Sequence, residues 1–239
     1  YQYRPQRVKR TQSDRNIFAH HMLRGRLAVP RLPYPVEQPV QAMPRIVMLG
    51  ASNVARAASC LVNTARATVG GPCQFHIAAG HGRSFVGDSS VLVRRLPGIA
   101  RCQLWDDLNR QTSPPAPTFA LVTDIGNDIL YGYRVDTIVD HVRSCVDRLL
   151  DHDARIVVTE LPIASIDRLT PGRFAFYRSI LFRRCRLTLD DVRERAMRIN
   201  EGVGRLADAP QVTVVQHDAR WYGHDPIHIR RRHQREAYA

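Results

Sequence analysis

The chain has 239 residues, 44% of them apolar and 24% charged, so it is long enough to bury a hydrophobic core without metal or disulfide support. Its five cysteines are scattered and form no C-x-x-C pair, which argues against a zinc site or a disulfide framework and predicts buried cysteines in a reducing compartment. The net charge of +13 concerns partners and solubility, not the fold. Because no apolar run is long enough to span a membrane and none resembles a signal peptide, we predict a cytoplasmic protein.

Residues 1–44 differ in composition from the rest of the chain. They hold six of the fifteen prolines and eight basic residues against only two acidic ones. Proline at this density suits neither helix nor sheet, so we predict an extended or partly disordered arm with a short helix around residues 17–27. An alternative is that this basic arm binds nucleic acid or another polyanion, an interpretation we favour less.

From residue 45 onward, short apolar runs alternate with amphipathic segments. Strands are predicted at residues 45–49, 73–79, 119–123, 155–160 and 212–216. Helices are predicted from residue 54 to Gly70-Gly71, over 135–149, and over 189–206 behind a cap at Thr188 and Asp191. This alternation predicts an α/β fold: a three-layer α/β/α sandwich around a parallel sheet of roughly five strands, formed by residues 45–239.

Ligands of an open parallel sheet bind at the carboxyl ends of its strands. Small and polar residues follow four of the predicted strands there. The segments just past the strands are Gly50-Ala51-Ser52-Asn53, Gly80-His81-Gly82-Arg83-Ser84, Asp124-Ile125-Gly126-Asn127-Asp128, Leu161-Pro162 and residues 217–228. A dinucleotide-binding glycine motif and a P-loop are both excluded, the first for lack of its third glycine and the second for lack of its lysine.

Ser52 lies between a strand and a helix, where serine is a common helix cap. As a nucleophile it would need a histidine base with an orienting acid. Asp225-Pro226-Ile227-His228, past the last predicted strand, supplies that pair at a spacing that lets the carboxylate reach the imidazole. Both ends of the sheet region then meet on one edge, which favours a nucleophile.

These segments, in this order and spacing, resemble the four blocks of the SGNH hydrolases, also called the GDSL esterase/lipase family. The resemblance covers residues 45–239 and implies the flavodoxin-like fold of that family, without a cofactor. It implies that Ser52 is the nucleophile, His228 the general base and Asp225 the residue that orients it. It also implies an oxyanion hole formed by the backbone N–H groups of Ser52 and Gly82 and the side-chain amide of Asn127.

Three positions depart from the family pattern. Ala51 stands where an aspartate is usual, Asn53 where a leucine is usual, and Ile125 where the third block has a glycine. Gly80 is a less favoured alternative to Gly82, whose Gly-Arg-Ser context resembles the carbohydrate acetylesterases of the family.

Neighbouring polar and aromatic residues supply candidates for substrate binding. They are Asn53, Arg83, Trp221 and Tyr222, with surface or packing roles as the alternatives for the last three. Glu160 ends a predicted strand and could serve a site, although a solvated cap is the favoured interpretation. Asp124 and Asp128 are expected to fix the loop that presents Asn127. His224 and His228 are spaced like metal ligands, but Pro226 between them argues against a helical pair, so we predict no metal site.

The sequence therefore predicts a serine ester hydrolase of the SGNH type that acts through an acyl-enzyme, with a short-chain or carbohydrate O-acetyl ester as its substrate. An acyltransferase would use the same residues. A basic binding module on an SGNH-like shell, directed at an anionic polymer, and a metal-dependent hydrolase are the competing hypotheses.

Overall fold

The computed structural model describes residues 43–91, 94–110 and 116–239. The predicted arm lies outside these residues except for Met43 and Pro44, and so does the predicted helix at residues 17–27. Among the helices of the described part, none combines the length and the apolar character that a membrane crossing requires.

Five parallel strands form the central sheet, in the order β2-β1-β5-β6-β7. They are β1 Arg45–Leu49, β2 Gln74–Ala78, β5 Thr118–Val122, β6 Arg155–Thr159 and β7 Val212–Val215. The predicted strands are confirmed to within one residue at each end. Counted along the chain, the order is 2-1-3-4-5, the doubly wound order of flavodoxin-like folds. A small antiparallel hairpin of β3 Ser89–Val91 and β4 Arg94–Leu96, which the sequence did not predict, lies outside this sheet.

Eight α-helices accompany the strands of the described residues. They are α1 Ser52–Val69, α2 Leu104–Asn109, α3 Asn127–Leu130, α4 Val135–Leu150, α5 Ile163–Ile166, α6 Pro171–Leu181, α7 Leu189–Gly204 and α8 Gln234–Ala237. The three long helices α1, α4 and α7 are those predicted from apolar periodicity. Their predicted ends are also confirmed: Gly70 ends α1 in a left-handed conformation, and Thr188 and Asp191 form a reciprocal capping box at the start of α7.

Helices cover both faces of the sheet. On one face, Val47 and Leu49 of β1 belong to a core that also contains the buried sides of α2, α4 and α7. On the other face, Ile46 and Met48 pack with α1, and α8 also contacts α1. This second layer covers its face of the sheet less completely. The evidence is that Phe119, Val157 and Val215 keep 36%, 39% and 38% of their surface exposed. The predicted three-layer α/β/α architecture is confirmed.

The segment between β6 and α7 holds α5 and α6, two of the helices that the sequence did not predict; the others are α2, α3 and α8. Thr170 is the N-cap of helix α6, and its hydroxyl accepts the backbone N–H of Arg173. Pro171 occupies the first helical position. Its apolar residues do not fall on a single stripe, since Phe174 is buried whereas Phe176 and Ile180 are 60% and 56% exposed. Periodicity alone therefore could not reveal it.

Candidate active site

Ser52 is the first residue of α1 and lies directly past β1, whose neighbours β2 and β5 mark the point where the strand order reverses. Loops at the carboxyl ends of strands form a crevice at such a point. The Ser52 side chain does not cap the helix. Ala51 occupies the N-cap position, and its methyl side chain cannot accept a hydrogen bond. The Ser52 hydroxyl is therefore available for another partner.

The capping function is supplied from the neighbouring strand by Asp124, which follows β5. Its carboxylate accepts the backbone N–H groups of Ala51 and Asn53, each at 2.9 Å, and more weakly that of Val54 at 3.4 Å. Asp124 itself has a φ of 62°, a left-handed conformation that aspartate adopts more readily than most residues. We expected Asp124 to fix the Asn127 loop, but its carboxylate holds the start of α1.

His228 connects Ser52 to Asp225. Its Nε2 lies 2.9 Å from the Ser52 Oγ, and its Nδ1 lies 2.5 Å from a carboxylate oxygen of Asp225. An ionised carboxylate can only accept, so Nδ1 carries the proton and the Nε2 lone pair faces the serine hydroxyl. The structure thus brings together three side chains separated by up to 176 residues in the chain, in the arrangement that proton abstraction from a serine requires.

Local contacts hold Asp225 ionised. Burial alone would raise the pKa of Asp225, but hydrogen bonds from the His228 ring and from the backbone N–H groups of Ile227 and His228 lower it, and the net shift is downward. The carboxylate therefore stays charged beside the imidazole over the neutral pH range, where it can stabilise a developing imidazolium.

Asn53 ties the histidine loop to the start of α1. Its side-chain amide donates to Asp124 at 2.7 Å and to the Ile227 carbonyl at 2.9 Å, and its carbonyl oxygen accepts the backbone N–H of Ile229 at 2.9 Å. The residue is 5% exposed and all these partners are protein groups. Because Ile227 and Ile229 flank His228, these hydrogen bonds hold the backbone that places the imidazole beside Ser52.

The side chain of Asn127, at the start of α3, lines the same cavity as Ser52. Its amide donates to the Arg83 carbonyl at 3.2 Å, next to Gly82. Gly82 has a φ of 63°, and its carbonyl accepts the Tyr131 hydroxyl at 2.6 Å. These contacts join the two loops expected to supply oxyanion donors.

The alternative glycine is less suited to that role, because the N–H of Gly80 already donates to the Ala51 carbonyl at 3.3 Å. Gly80 also leaves no room for a side chain, since a Cβ would lie 2.4 Å from Leu96. Gly80 thus lets the loop pack closely against Ala51, just past β1, and against Leu96 of β4.

Asp128 of α3 forms hydrogen bonds to the residues that follow Gly82 and so holds that loop against α3. It is fully buried and accepts hydrogen bonds from the backbone N–H of Phe85, at 2.9 Å, and from the hydroxyl of Ser84. Ser84 in turn accepts the N–H groups of Val86 and Gly87, each at 3.0 Å. Burial raises the pKa of Asp128, and the hydrogen bonds from Ser84 and Phe85 oppose that shift. The expected role of Asp128 in fixing the Asn127 loop agrees with these contacts.

The cavity beside Ser52 has a volume of about 140 Å³. Its polar lining includes Ser52, Asn127, Glu160 and His228. Glu160 therefore borders the candidate site, the less favoured of the two positions expected for it. Most other lining residues are apolar and come from α3, the β6–α7 segment and α7; they include Ile129, Leu161, Ile166, Leu169, Phe174 and Val192. The serine thus faces an apolar pocket, which the sequence did not indicate.

The four candidate substrate-binding residues have different environments. Asn53 and Tyr222 line the cavity, whereas Arg83 and Trp221 do not. Arg83 is 7% exposed and donates to the carbonyls of Pro97, at 3.1 Å, and Ala79, at 3.4 Å. Its charge is therefore used inside the loop, and the surface position expected as the alternative to substrate binding is wrong, because the side chain is buried.

His217 is a residue of the site that the sequence analysis left without a role. Its ring lines the cavity, and its Nδ1 is hydrogen-bonded to the hydroxyl of Tyr222. Burial lowers the pKa of His217 and raises that of Tyr222, so both groups are neutral near pH 7. The only sequence signal for this residue is its position just past β7.

Within residues 43–91, 94–110 and 116–239, no cluster of three or more histidine, cysteine, aspartate or glutamate side chains could hold a metal ion. His224 is exposed and does not border the cavity that His228 lines.

No protein-family model matches the chain, and no curated protein does. Among solved structures, a carbohydrate acetylesterase family member from Sinorhizobium meliloti matches with a TM-score of 0.51 and 15% identity, over 82% of this chain and 94% of its own. A psychrotrophic esterase, EstA, from Pseudoalteromonas sp. matches at 0.48 and 12% identity, over 81% and 92%. A GDSL-like lipase from Bacteroides thetaiotaomicron matches at 0.47 and 11%, over 81% and 82%.

At such low identity the likeness to the acetylesterase shows the fold alone. The flavodoxin-like fold that the resemblance to SGNH hydrolases implied is thereby confirmed.

Proposed function

We propose that this protein is a serine ester hydrolase of the SGNH type, with Ser52 as nucleophile, His228 as general base and Asp225 as the residue that orients and stabilises the imidazole. The observation that carries the proposal is the hydrogen-bonded chain from Ser52 Oγ through His228 to Asp225, at 2.9 and 2.5 Å. A serine hydroxyl is a weak nucleophile until a positioned base takes its proton, and this chain supplies that base.

In the first half of the reaction, the Ser52 Oγ attacks the ester carbonyl carbon while its proton passes to His228 Nε2. The oxygen of the tetrahedral intermediate takes up the negative charge. His228 then donates the proton to the leaving alcohol oxygen as the carbon–oxygen bond of the ester breaks, which leaves the acyl group on Ser52. In the second half, a water attacks the acyl-enzyme and gives its proton to His228, and the same proton returns to Oγ as the carboxylic acid departs.

The oxyanion donors we propose are the N–H groups of Ser52 and Gly82 and the side-chain amide of Asn127. Among the hydrogen bonds of the described residues, none engages the N–H of Ser52 or of Gly82, so both are free to donate. Neutral donors that do not titrate suit a charge that develops in the transition state and is carried by the tetrahedral intermediate. Short-chain esters and carbohydrate O-acetyl esters would both react through this machinery, as would acyl transfer to a second alcohol.

The test is hydrolysis of p-nitrophenyl esters by wild type and Ser52→Ala, with labelling by a fluorophosphonate probe. We expect Ser52→Ala to lose labelling and to lower kcat by about 10³-fold or more. Ser59→Ala is the matched control, because Ser59 is an exposed serine on the same helix α1. Undiminished turnover in Ser52→Ala would overturn the proposal, whereas equal losses in both variants would indicate damage to α1.

A further inference from the structure

The apolar cavity beside Ser52 is much larger than an acetyl group needs. An acetyl group adds only one methyl to the reacting carbonyl carbon, whereas the cavity volume is about 140 Å³. A dry apolar cavity of about 150 Å³ in another protein holds one benzene ring, which has six carbons. A small acyl group would therefore leave most of this volume empty.

The walls of the cavity suit a saturated hydrocarbon chain. Ile129 is 1% exposed and Ile166, Phe174 and Val192 are between 7% and 8% exposed, so this part of the wall consists of apolar side chains that have little contact with solvent. Arg178, the one cation in the lining, donates to the Leu187 carbonyl at 2.7 Å. This contact directs one of its guanidinium N–H groups to the protein backbone.

We infer that this cavity is an acyl-binding site that takes an unbranched aliphatic acyl chain of about six to eight carbons. The inference rests on the proposed ester hydrolysis at Ser52. It replaces short-chain and acetyl esters by medium-chain esters as the preferred substrate class. The alkyl chain lies among the side chains of α3, α5, α6 and α7, while the carbonyl group lies at Ser52 and Asn127.

Chain length is the first readout. With p-nitrophenyl esters from acetate to dodecanoate, kcat/KM should rise to a maximum at hexanoate or octanoate and fall for longer chains. Each methylene moved from water into the pocket contributes a factor of about 4, so hexanoate, with four more methylenes, should exceed acetate by about 250-fold. A maximum at acetate overturns the inference and leaves the proposed function intact.

Two variants then locate the chain in the cavity. Phe174→Ala removes a ring from the wall and should move the maximum to longer chains, with Phe174→Leu as the milder change if the alanine variant does not fold. Val192→Phe narrows the pocket and should lower hexanoate turnover at least 10-fold while acetate turnover changes little. A profile that none of these variants changes overturns the site.

Phe176→Ala is the matched control, because Phe176 lies on the same helix two residues away and is 60% exposed. It should keep the wild-type profile. Binding of octanoate, measured by calorimetry, adds a readout that needs no turnover. If wild type binds octanoate but cleaves no ester, and Val192→Phe abolishes the binding, the proposed function is refuted and the acyl site is kept. If wild type does not bind octanoate, the acyl site is refuted.

Discussion

The carboxylate of Asp124 accepts both the backbone N–H and the side-chain amide of Asn53, at 2.9 and 2.7 Å. This pair joins the carboxyl end of β5 to the start of α1, and Asn53 continues the connection to the loop that carries His228. Ala51 stands where the family pattern usually has an aspartate. A carboxylate is still present at this position, because the backbone N–H of Ala51 donates to Asp124.

Replacement of Asp124 by asparagine should weaken this connection. Asparagine tolerates the positive φ of 62°, so the backbone is preserved. Its one oxygen can still accept the N–H groups of Ala51 and Asn53, which share Oδ2 of Asp124, but its NH₂ group then faces the side-chain amide of Asn53, which is itself a donor. We expect a loss of about 1 kcal/mol in the free energy of unfolding, measured with urea, and a fall in kcat of about 10-fold as His228 loses its support.

Asp153→Asn is the control for that change. Asp153 is the other aspartate with a positive φ in the described residues, at 52°, and it is exposed on the turn that follows α4. The control should match wild type in both measurements. Equal effects of the two substitutions would mean that the turn conformation, and not the contact with α1, is responsible.

Asn53→Ala separates positioning from substrate binding. The substitution leaves the Ile227 carbonyl and the Ile229 N–H without their side-chain partners, which costs about 1–3 kcal/mol of stability. If Asn53 acts by holding His228, kcat should fall and KM should stay nearly constant for every ester. A rise in KM that differs between esters would support the substrate-binding role expected from the sequence.

A double-mutant cycle with Asp124→Asn extends this experiment. The two residues share hydrogen bonds, so the losses in unfolding free energy should be less than additive in the double variant. Additive losses would show that the contact between them contributes little.

The sheet was predictable because each of its strands is a short apolar run. Residues 45–49 and 155–159, for example, are flanked by polar residues and glycine or proline, and parallel strands covered by helices need such runs. The position of Ser52 and His228 at one edge then followed from chain order. Periodicity served equally well for α4, whose buried residues recur at helical spacing.

The acyl cavity was beyond the same reasoning because its walls carry no periodic signal. Helix α6 has apolar residues on its inward and outward sides, so it resembles neither an amphipathic helix nor a strand. The role of Asp124 was misjudged for a different reason. Its partners at Ala51 and Asn53 are 73 and 71 residues away, and no local pattern reports a contact over that distance.

The proposed oxyanion donor Asn127 has a distinct kinetic signature. Asn127→Ala removes a donor that acts mainly in the transition state, so kcat should fall about 10²–10³-fold with little change in KM. Asn109→Ala, at the exposed end of α2, is the control and should leave both constants unchanged. An unchanged kcat in Asn127→Ala would exclude its amide from the oxyanion hole.

The two aspartates Asp225 and Asp128 should respond to pH in opposite directions. The pKa of Asp225 is lowered on folding, so its contribution to stability is present above about pH 4 and is lost as the pH falls through the folded-state pKa. The pKa of Asp128 is raised, so the folded protein holds that proton more tightly, and wild type loses stability as the pH rises from about 4 to the folded-state pKa.

Urea unfolding of wild type, Asp225→Asn and Asp128→Asn between pH 3 and pH 7 tests both signs with one kind of substitution. The advantage of wild type over Asp225→Asn should shrink as the pH falls, and by less than about 1 kcal/mol, because the carboxylate is 43% exposed. The advantage over Asp128→Asn should shrink as the pH rises. If both differences change in the same direction, one of the two assigned shifts is wrong. Burial outweighs the hydrogen bonds at Asp128, whereas at Asp225 burial is the largest single effect on the pKa but is outweighed by the hydrogen bonds and the charge of His228 taken together.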